Sequence, residues 1–369
     1  MTNISLIFPY GASGPHAKSV LMPKSKSKSG GSKPGGGTRS KAPTAARPQQ
    51  KAVSIKIWPL YVVLAALVVL YILFQGSAIS LAFGISAFVL IIAILILEVS
   101  IGVKESGYKK SIMEFAIVII AVVVFWYALR AVMGTPSPLD VVPSCSMLPS
   151  LSRGDMILVK GINASILKAP VVDVSSSQMH SMLSNMGAED LSCVAYKISG
   201  NTAAVSQAVQ PGYSVGLYDP NLNKIVSNNS QSGNLVQYTC GERNVTFTNG
   251  STEQIAYTTG ISINGTKITG DAGNPIVVYE TIPQDSFYKD GDAYVVHRVY
   301  AVIDAAGSYY VLTKGDNNPG LDIQYGNYPI DSSHVAGMVI AAVKYLGYLK
   351  LILSDSLAQP AGCNYTIQR

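Results

Sequence analysis

The sequence lacks the residue patterns that usually hold a metal ion. Its 369 residues include only four cysteines and four histidines. The cysteines are too widely spaced to form a CxxC pair, and no His-x-x-x-His motif occurs. We therefore expect a protein that works without a metal ion or an organic cofactor.

Acidic residues are absent from a basic stretch near the N-terminus. Between Lys18 and Lys56 there are ten lysines and arginines and no aspartate or glutamate, with glycine, serine and proline in between. Such a composition buries too little apolar surface to order itself, so we predict a disordered cytoplasmic arm over residues 1–56. We favour contact with anionic membrane lipid and a role as a topology signal over nucleic-acid binding. No nucleic-acid partner is expected.

Charge is nearly absent from three long hydrophobic runs that follow the arm. Each run has roughly 18 to 20 residues, about the length that a helix needs to cross the hydrocarbon core of a bilayer. We therefore predict three transmembrane α-helices within residues 57–134. The runs are Ile57–Phe74, Ala78–Leu97 and Phe115–Met133.

The distribution of positive charge predicts the orientation of these helices. Lysine and arginine are enriched on the cytoplasmic side of membrane proteins. The basic arm and a short loop with Lys104, Lys109 and Lys110 therefore belong inside, which leaves the region after Gly134 outside. We expect a multi-pass protein of the cell membrane with a cytoplasmic N-terminus and its C-terminal region on the outer face.

Two features of the C-terminal region agree with an exterior location. Cys193 and Cys240 could form a disulfide outside the reducing cytosol, although two buried free thiols fit the sequence equally well. Six asparagines begin Asn-x-Ser/Thr motifs, the acceptors of N-glycosylation. They are Asn163, Asn228, Asn244, Asn249, Asn264 and Asn364.

The region after Gly134 has the short apolar runs that are typical of β-strands. We expect a mainly-β core in two pieces, 135–160 and 276–353, separated by a long β-rich cap subdomain over 161–275 and followed by a tail over 354–369. Residues 334–353 are apolar enough for a fourth span, but Lys344 and Lys350 would be costly inside a bilayer, so strands are expected there. The expected strands are Met156–Val159, Ile276–Tyr279, Ala293–Val296, Val299–Ile303, Tyr309–Thr313 and Val335–Leu353.

A serine-rich box begins about ten residues after the third apolar run. It reads Pro143-Ser-Cys-Ser-Met-Leu-Pro-Ser-Leu151 and is followed by Gly154-Asp155. A serine becomes a nucleophile when a base takes its proton and donors stabilise the oxyanion. Ser146 is the candidate nucleophile, with its own backbone N–H and the Ser144 hydroxyl as oxyanion-hole donors.

The box, placed directly after an apolar span, resembles that of the signal peptidase I family of serine proteases. A second block, Gly291-Asp-Ala-Tyr-Val-Val-His297-Arg-Val299, has histidine where bacterial members have lysine. A third block, Lys314-Gly-Asp-Asn-Asn318, is also similar to the family. Together the blocks resemble the archaeal and endoplasmic-reticulum type, in which a Ser-His dyad is completed by aspartate.

The resemblance implies a signal-peptidase fold, a mechanism and a substrate. His297 would be the general base and Asp322 would orient it, while Asp316 would be a structural or secondary electrostatic carboxylate. The order of the two aspartates stays open at this point. The implied substrate is the signal peptide of an exported preprotein, cut after small residues, with membrane lipid and the protein-export channel as further partners.

Other interpretations of the same residues remain. Lys160 or Lys314 could replace histidine as the base, because a buried lysine with a lowered pKa can do so. A self-cleaving Ser/Lys protease of related fold is a rival, but such proteins act in the cytosol and lack the spans. A catalytically inactive membrane glycoprotein that binds partners through 161–275 is the non-enzymatic alternative. His16, His180 and His334 are poorer candidates for the base than His297.

Overall fold

The computed structural model describes most of the chain after the N-terminal arm. The predicted arm, the sequon at Asn228 and residues 354–361 of the predicted tail lie outside the described residues. The described residues are 57–74, 78–106, 108–186, 191–199, 202–220, 222–226, 235–353 and 362–368.

Apolar helices form the first part of the described chain. Within the described residues, two helices are long and apolar enough to cross a membrane, over Ala82–Val103 and Tyr108–Met133. Most of their large apolar side chains are exposed, which indicates association with a membrane. The helices are α1 (Trp58–Leu73), α2 (Ala78–Ser106) and α3 (Tyr108–Met133).

The first helix differs from the prediction in length. With 16 residues, α1 extends over about 24 Å, which is less than the roughly 30 Å hydrocarbon core of a bilayer. At its C-terminal end, the Tyr71 hydroxyl donates a hydrogen bond to the carbonyl of Lys344 in the β-rich region. Within the described residues, two helices rather than the predicted three are therefore long enough to cross a bilayer.

Our prediction that Lys104, Lys109 and Lys110 lie in a loop between the second and third spans is wrong. Lys104 lies in the last turn of α2, and Lys109 and Lys110 lie in the first turn of α3, so residue 107 alone separates the two helices. Lysine and glutamate are good helix formers, which lets both helices extend beyond their apolar runs.

Strands dominate the remainder of the chain, together with short helices α4 (Ser176–Asn185), α5 (Ser286–Lys289) and α6 (Tyr348–Leu353). The sixteen strands of the described residues fall into three sheets. They are β1 (Leu139–Val141), β2 (Met156–Lys160), β3 (Val171–Val174), β4 (Ser192–Ser199), β5 (Thr202–Ser206), β6 (Ser214–Asp219), β7 (Lys224–Val226), β8 (Val236–Phe247), β9 (Thr252–Ile263), β10 (Thr266–Thr269), β11 (Ile276–Glu280), β12 (Tyr294–Ala305), β13 (Ser308–Lys314), β14 (Ile330–Asp331), β15 (Val335–Val343) and β16 (Tyr365–Ile367).

The first sheet joins the two predicted pieces of the core. Its strand order is β1-β2-β15-β11-β12-β13-β14, and all of these pairs are antiparallel. The long strand β12 pairs with β11 along its first half and with β3, in parallel, along its second half. Residues that are far apart in sequence therefore meet across this sheet, because β2 and β15 bring its N-terminal and C-terminal parts together.

The segment 161–275 contains most of the other two sheets. Their strand orders are β10-β9-β8-β16 and β5-β4-β6-β7, and the disulfide Cys193–Cys240 links β4 to β8. Strand β3 of the same segment pairs with the first sheet. One buried apolar cluster contains Ile261 and Ile263 from β9 together with Ile303 and Leu312 from the first sheet. The division into a core and a cap subdomain stays a prediction.

Residues 335–353 are strand only in their first half. The chain leaves β15 after Val343, turns at Tyr345, which has a φ of 64°, and continues as α6. The turn packs closely, because a Cβ on Gly347 would lie 2.6 Å from a methyl group of Val141. The helix buries Leu351. The expectation of strand up to Leu353 is therefore wrong at its C-terminal end.

Candidate active site

The loop that carries Ser146 connects β1 to β2. Met147 is fully buried and Leu151 nearly so, and both belong to the apolar cluster under this end of the first sheet. The backbone N–H of Leu151 bonds to the carbonyl of Met147, and the Leu148–Pro149 peptide is cis. Because the side chain of Met147 points into the core, the neighbouring Ser146 stays at the surface, where it is partly exposed.

His297 faces Ser146 from β12. Its Nε2 lies 3.0 Å from the Ser146 Oγ, although 151 residues separate the two in sequence. The imidazole is 3% exposed, and the ring of Phe287 packs edge-on against it with centroids 5.8 Å apart. Burial and this ring contact limit the orientations that the imidazole can adopt.

Asp322 lies on the other side of the imidazole. Its Oδ2 is 2.7 Å from His297 Nδ1 and also accepts hydrogen bonds from the hydroxyls of Thr313 at 2.5 Å and Tyr279 at 3.0 Å. Burial alone would raise the pKa of the Asp322 carboxyl, but the nearby imidazole and the hydroxyl donors outweigh it and hold that pKa below its usual value. Asp322 is therefore an anion in the neutral pH range.

The same environment acts in the opposite direction on Tyr279. Burial, and then the negative charge of Asp322, raise the pKa of the Tyr279 phenol well above its usual value. The phenol therefore keeps its proton and remains a hydrogen-bond donor to Asp322.

The three side chains form a continuous hydrogen-bonded chain. With its Nδ1 proton donated to Asp322, the imidazole presents an unprotonated Nε2 to the Ser146 hydroxyl. This tautomer can accept the serine proton during attack, and the carboxylate stabilises the imidazolium that forms. The arrangement is chemically suited to acyl transfer through a serine ester.

Ser144 and Asp316 lie near this chain in different ways. The Ser144 Oγ is 3.2 Å from the Ser146 Oγ, within hydrogen-bond distance, and its role in an oxyanion hole stays a prediction. Asp316 does not contact the imidazole; it forms two hydrogen bonds of 2.8 Å with the guanidinium of Arg298. Of the two candidate carboxylates, the structure places Asp322 at His297.

The other candidate bases, two lysines and the remaining histidines, have different environments from that of His297. Lys160 is exposed at the end of β2, and the buried Lys314 amine donates to the carbonyls of Gly315 and Asn318 while it lies 4.4 Å from the centre of the Tyr257 ring. His180 is exposed on α4, and His334 lies in a short turn of 3-10 helix. His16 is outside the described residues.

Arg298 holds the loops around the site together. In addition to Asp316, its guanidinium donates to the Ser150 hydroxyl of the nucleophile loop at 2.9 Å. It also donates to the backbone carbonyls of Ala272 and Asn274. One partly buried side chain thus joins the nucleophile loop, the loop after β13 and the end of the 161–275 segment.

Gly315 allows the loop after β13 to approach the nucleophile. A Cβ at this position would lie 2.8 Å from the carbonyl oxygen of Ser146 and 2.6 Å from the Asn318 amide nitrogen. Only glycine fits this approach without displacement of its neighbours. The glycine of the Lys-Gly-Asp-Asn-Asn block therefore has a packing role next to Ser146.

A groove of about 490 Å³ opens beside Ser146 and His297. Strand β1 forms one wall, and the start of β12 forms the other. Strand β1 is at the edge of the first sheet, and within it the backbone N–H of Val141 donates to the Asp140 carboxylate. A sheet edge is a place where an additional extended chain can pair. The groove therefore has the form that an extended peptide requires.

Sequence reasoning missed Tyr279, Thr313 and the second disulfide. Tyr279 and Thr313 contact Asp322 only through the pairing of β11, β12 and β13, which no local pattern indicates. Cys145 forms a disulfide with Cys363, and Cys193 pairs with Cys240. A signal was available for the cysteines, since pairing Cys193 with Cys240 leaves the other two as partners.

The sequon asparagines that fall within the described residues are all exposed. A glycan on any of these side chains would extend into solvent. They are Asn163, Asn244, Asn249, Asn264 and Asn364.

Comparison with known proteins gives one partial similarity. The chain is 34% identical over 70 residues to the signal peptidase complex catalytic subunit SEC11 of the fungus Verticillium alfalfae. The aligned region covers 18% of this chain and 41% of that protein, less than half of either. No family model and no solved structure matches the chain. The similarity supports a relationship to signal peptidases and, weakly, a peptidase activity.

Proposed function

We propose that this chain is a membrane-bound serine endopeptidase that removes N-terminal signal peptides from exported preproteins. The observation that carries the proposal is the hydrogen-bonded chain from Ser146 Oγ through His297 to Asp322. Ser146 attacks the scissile carbonyl and His297 accepts its proton, returns it to the leaving amine and then activates water. The partial similarity to a signal peptidase subunit supports the substrate class.

The proposed setting is a membrane with the catalytic region on its outer face. In this arrangement three helices cross the bilayer, with local thinning of the bilayer around the short helix α1. The basic arm stays in the cytoplasm, and anionic lipid and the export channel are neighbours. The two disulfides support an exterior location, because disulfides persist in oxidising compartments. The proposed histidine base supports the archaeal and endoplasmic-reticulum type rather than the bacterial type.

The substrate would bind as an extended strand in the groove beside β1. Backbone hydrogen bonds to the strand edge give affinity for any extended chain, so selection must come from side-chain pockets next to Ser146. Small residues, typically alanine, are expected at the two pocket positions before the cut.

The test is cleavage of a purified preprotein by the full chain in membranes or detergent, with the product identified by N-terminal sequencing. We expect a cut at the signal-peptide boundary, after a small residue. A matched preprotein with a bulky residue in place of the small one before the cut should stay intact. If neither preprotein is cut, or if both are cut at sites unrelated to the boundary, the proposed function is wrong.

The non-enzymatic alternative, an inactive glycoprotein that binds partners through 161–275, is not favoured. An inactive relative would have no need to keep the nucleophile, base and carboxylate within hydrogen-bond distance of one another. No observation in the described residues points to a partner on the 161–275 segment.

A further inference from the structure

The backbone around Ser146 is connected to the C-terminal segment at two points, one before and one after its side chain. Cys145, directly before Ser146, forms a disulfide with Cys363. The carbonyl of Ser146 itself accepts a 2.7 Å hydrogen bond from the backbone N–H of Asn317. Neither contact is needed for the chemistry of acyl transfer, so both require another explanation.

Asn317, whose N–H donates to the Ser146 carbonyl, also forms hydrogen bonds with the C-terminal segment. Its side-chain Nδ2 donates to the carbonyls of Gly362 and Tyr365, at 3.2 and 3.0 Å. Its Oδ1 accepts a 2.8 Å hydrogen bond from the backbone N–H of Ile367. The side chain is 2% exposed, and each of its polar atoms is used. Asn317 thus links the carbonyl of Ser146 to three points of the terminal segment.

The terminal segment is itself held in place. Strand β16 pairs with β8 through Tyr365, Thr366 and Ile367, and Ile367 is buried with Val245 and Ile255 in a separate apolar cluster. Strand β8 belongs to the 161–275 segment. A continuous path therefore runs from that segment through the last residues of the chain to the nucleophile.

We propose that the terminal segment Gly362–Ile367, tethered by the Cys145–Cys363 disulfide and by Asn317, positions Ser146 for attack. Cys145, Cys363 and Asn317 are positioning residues, because they act on the reaction through the backbone of Ser146. This inference rests on the proposed function. It assigns to the end of the chain and to the 161–275 segment a part in the geometry of the catalytic centre.

The physical basis is the distance dependence of catalysis. A displacement of the reacting atoms by about 1 Å can lower the rate roughly a hundredfold. Ser146 lies on a loop between two strands, and its Oγ must stay within reach of His297 Nε2, now 3.0 Å away. Loss of the tether would let the loop sample positions in which this contact is longer, while the groove that binds the substrate remains.

The test compares two double variants of the full chain in the preprotein cleavage assay. Cys145→Ala with Cys363→Ala removes the tether, and Cys193→Ala with Cys240→Ala removes the other disulfide as the matched control. We expect the first pair of substitutions to lower kcat about 10- to 100-fold with KM unchanged within about twofold. The control should keep kcat within about twofold, because its disulfide joins β4 to β8 outside the residues of β8 that pair with the terminal segment.

A second variant covers the case in which the tether variant fails to fold in a thermal melt. Asn317→Ala keeps the disulfide but removes the three side-chain contacts to the terminal segment, and it should also lower kcat with little change in KM. A folded tether variant with wild-type kcat, or a wild-type kcat for Asn317→Ala, would overturn the positioning role. Absence of cleavage by the wild type would instead contradict the proposed function, so the two failures are distinguishable.

Discussion

At the scale of single residues, the same Asp322 oxygen receives bonds from an imidazole and two hydroxyl groups. These donors stabilise the ionised carboxyl in a site where burial alone would make it neutral. The negative charge in turn fixes which imidazole nitrogen carries the proton. Ser146, His297 and Asp322 could be proposed from sequence, but Tyr279 and Thr313 could not, because their role depends on strand pairing.

The pH dependence of stability should reveal the ionised state of Asp322. Because its pKa is lowered in the folded protein, its contribution to stability is present above the unfolded value of about 3.9 and is lost as the pH falls through the lower folded pKa. The Asp322→Asn variant lacks this contribution. We expect the difference in melting temperature between wild type and variant to shrink as the pH is lowered from about 5 to about 3. A difference that stays constant from pH 7 to pH 3 would contradict the lowered pKa.

Substitution of the candidate bases should separate histidine from lysine catalysis. His297→Ala should lower kcat by a factor of about 10² to 10⁴ or more, because the serine proton then has no acceptor. Lys160→Met and Lys314→Met should leave cleavage measurable, since the Ser146 hydroxyl is hydrogen-bonded to the His297 imidazole. Cleavage rates with the preprotein substrate measure all three, and loss with a lysine variant but not with His297→Ala would reverse the assignment.

At the scale of structural elements, the partly buried Arg298 connects three loops around the site. Its side chain is 13% exposed and that of Asp316 is 7% exposed, so water screens their pairing weakly. The sequence motif contains Asp316, but its partner could be identified only after β12 and β13 were paired, because 18 residues separate the two. The pairing with Arg298 accounts for the position of Asp316, whereas Asp322 is the carboxylate bonded to His297.

Two ion pairs of this chain should differ in their contribution to stability. Arg298→Met removes the two hydrogen bonds to Asp316 together with those to Ser150, Ala272 and Asn274, and should lower the free energy of unfolding by about 3 to 5 kcal/mol. Lys350→Met removes the pair with Asp140, in which the lysine side chain is 62% exposed, and should cost about 0 to 1 kcal/mol. Denaturant unfolding of both variants in the same detergent measures the difference. Equal losses would show that burial of the Arg298 pair has no such effect.

The elements also show where sequence patterns stop being informative. Apolar runs located β2, β11 and β13 within one or two residues, because alternation and flanking turn residues are local properties. Residues 293–296 and 299–303 were expected as two strands, but Tyr294–Ala305 forms the single strand β12, since backbone pairing continues past Arg298. The same apolar character occurs in α6, where the turn at Tyr345 redirects the chain, so composition could not distinguish helix from strand there.

At the scale of the whole molecule, apolar helices precede a mainly-β region that contains the candidate site. The order of these parts could be predicted, because the length of apolar runs and the pattern of strand residues are local features of the sequence. The contribution of the 161–275 segment to the first sheet could not, because β3 pairs with a strand about 130 residues later. The link from that segment through Asn317 to Ser146 likewise depends on tertiary contacts alone.

The exposed apolar helices lead to a prediction about extraction. Large exposed side chains along α2 and α3 would be costly in water and favourable in hydrocarbon. The full chain should therefore stay in the membrane pellet after washing with alkaline carbonate and enter solution only with detergent. Immunoblots of pellet and supernatant measure this, with a peripheral membrane protein as the control. Release by carbonate alone would contradict insertion in the bilayer.

The central claim is that Ser146 is the nucleophile of a signal-peptide-cleaving protease. The most direct measurement is the rate of preprotein cleavage by membranes that contain equal amounts of wild-type protein or of Ser146→Ala. The account predicts that the variant retains less than about a thousandth of the wild-type rate, because loss of the hydroxyl removes the attacking atom and leaves only residual catalysis. Equal cleavage by both membranes would contradict it.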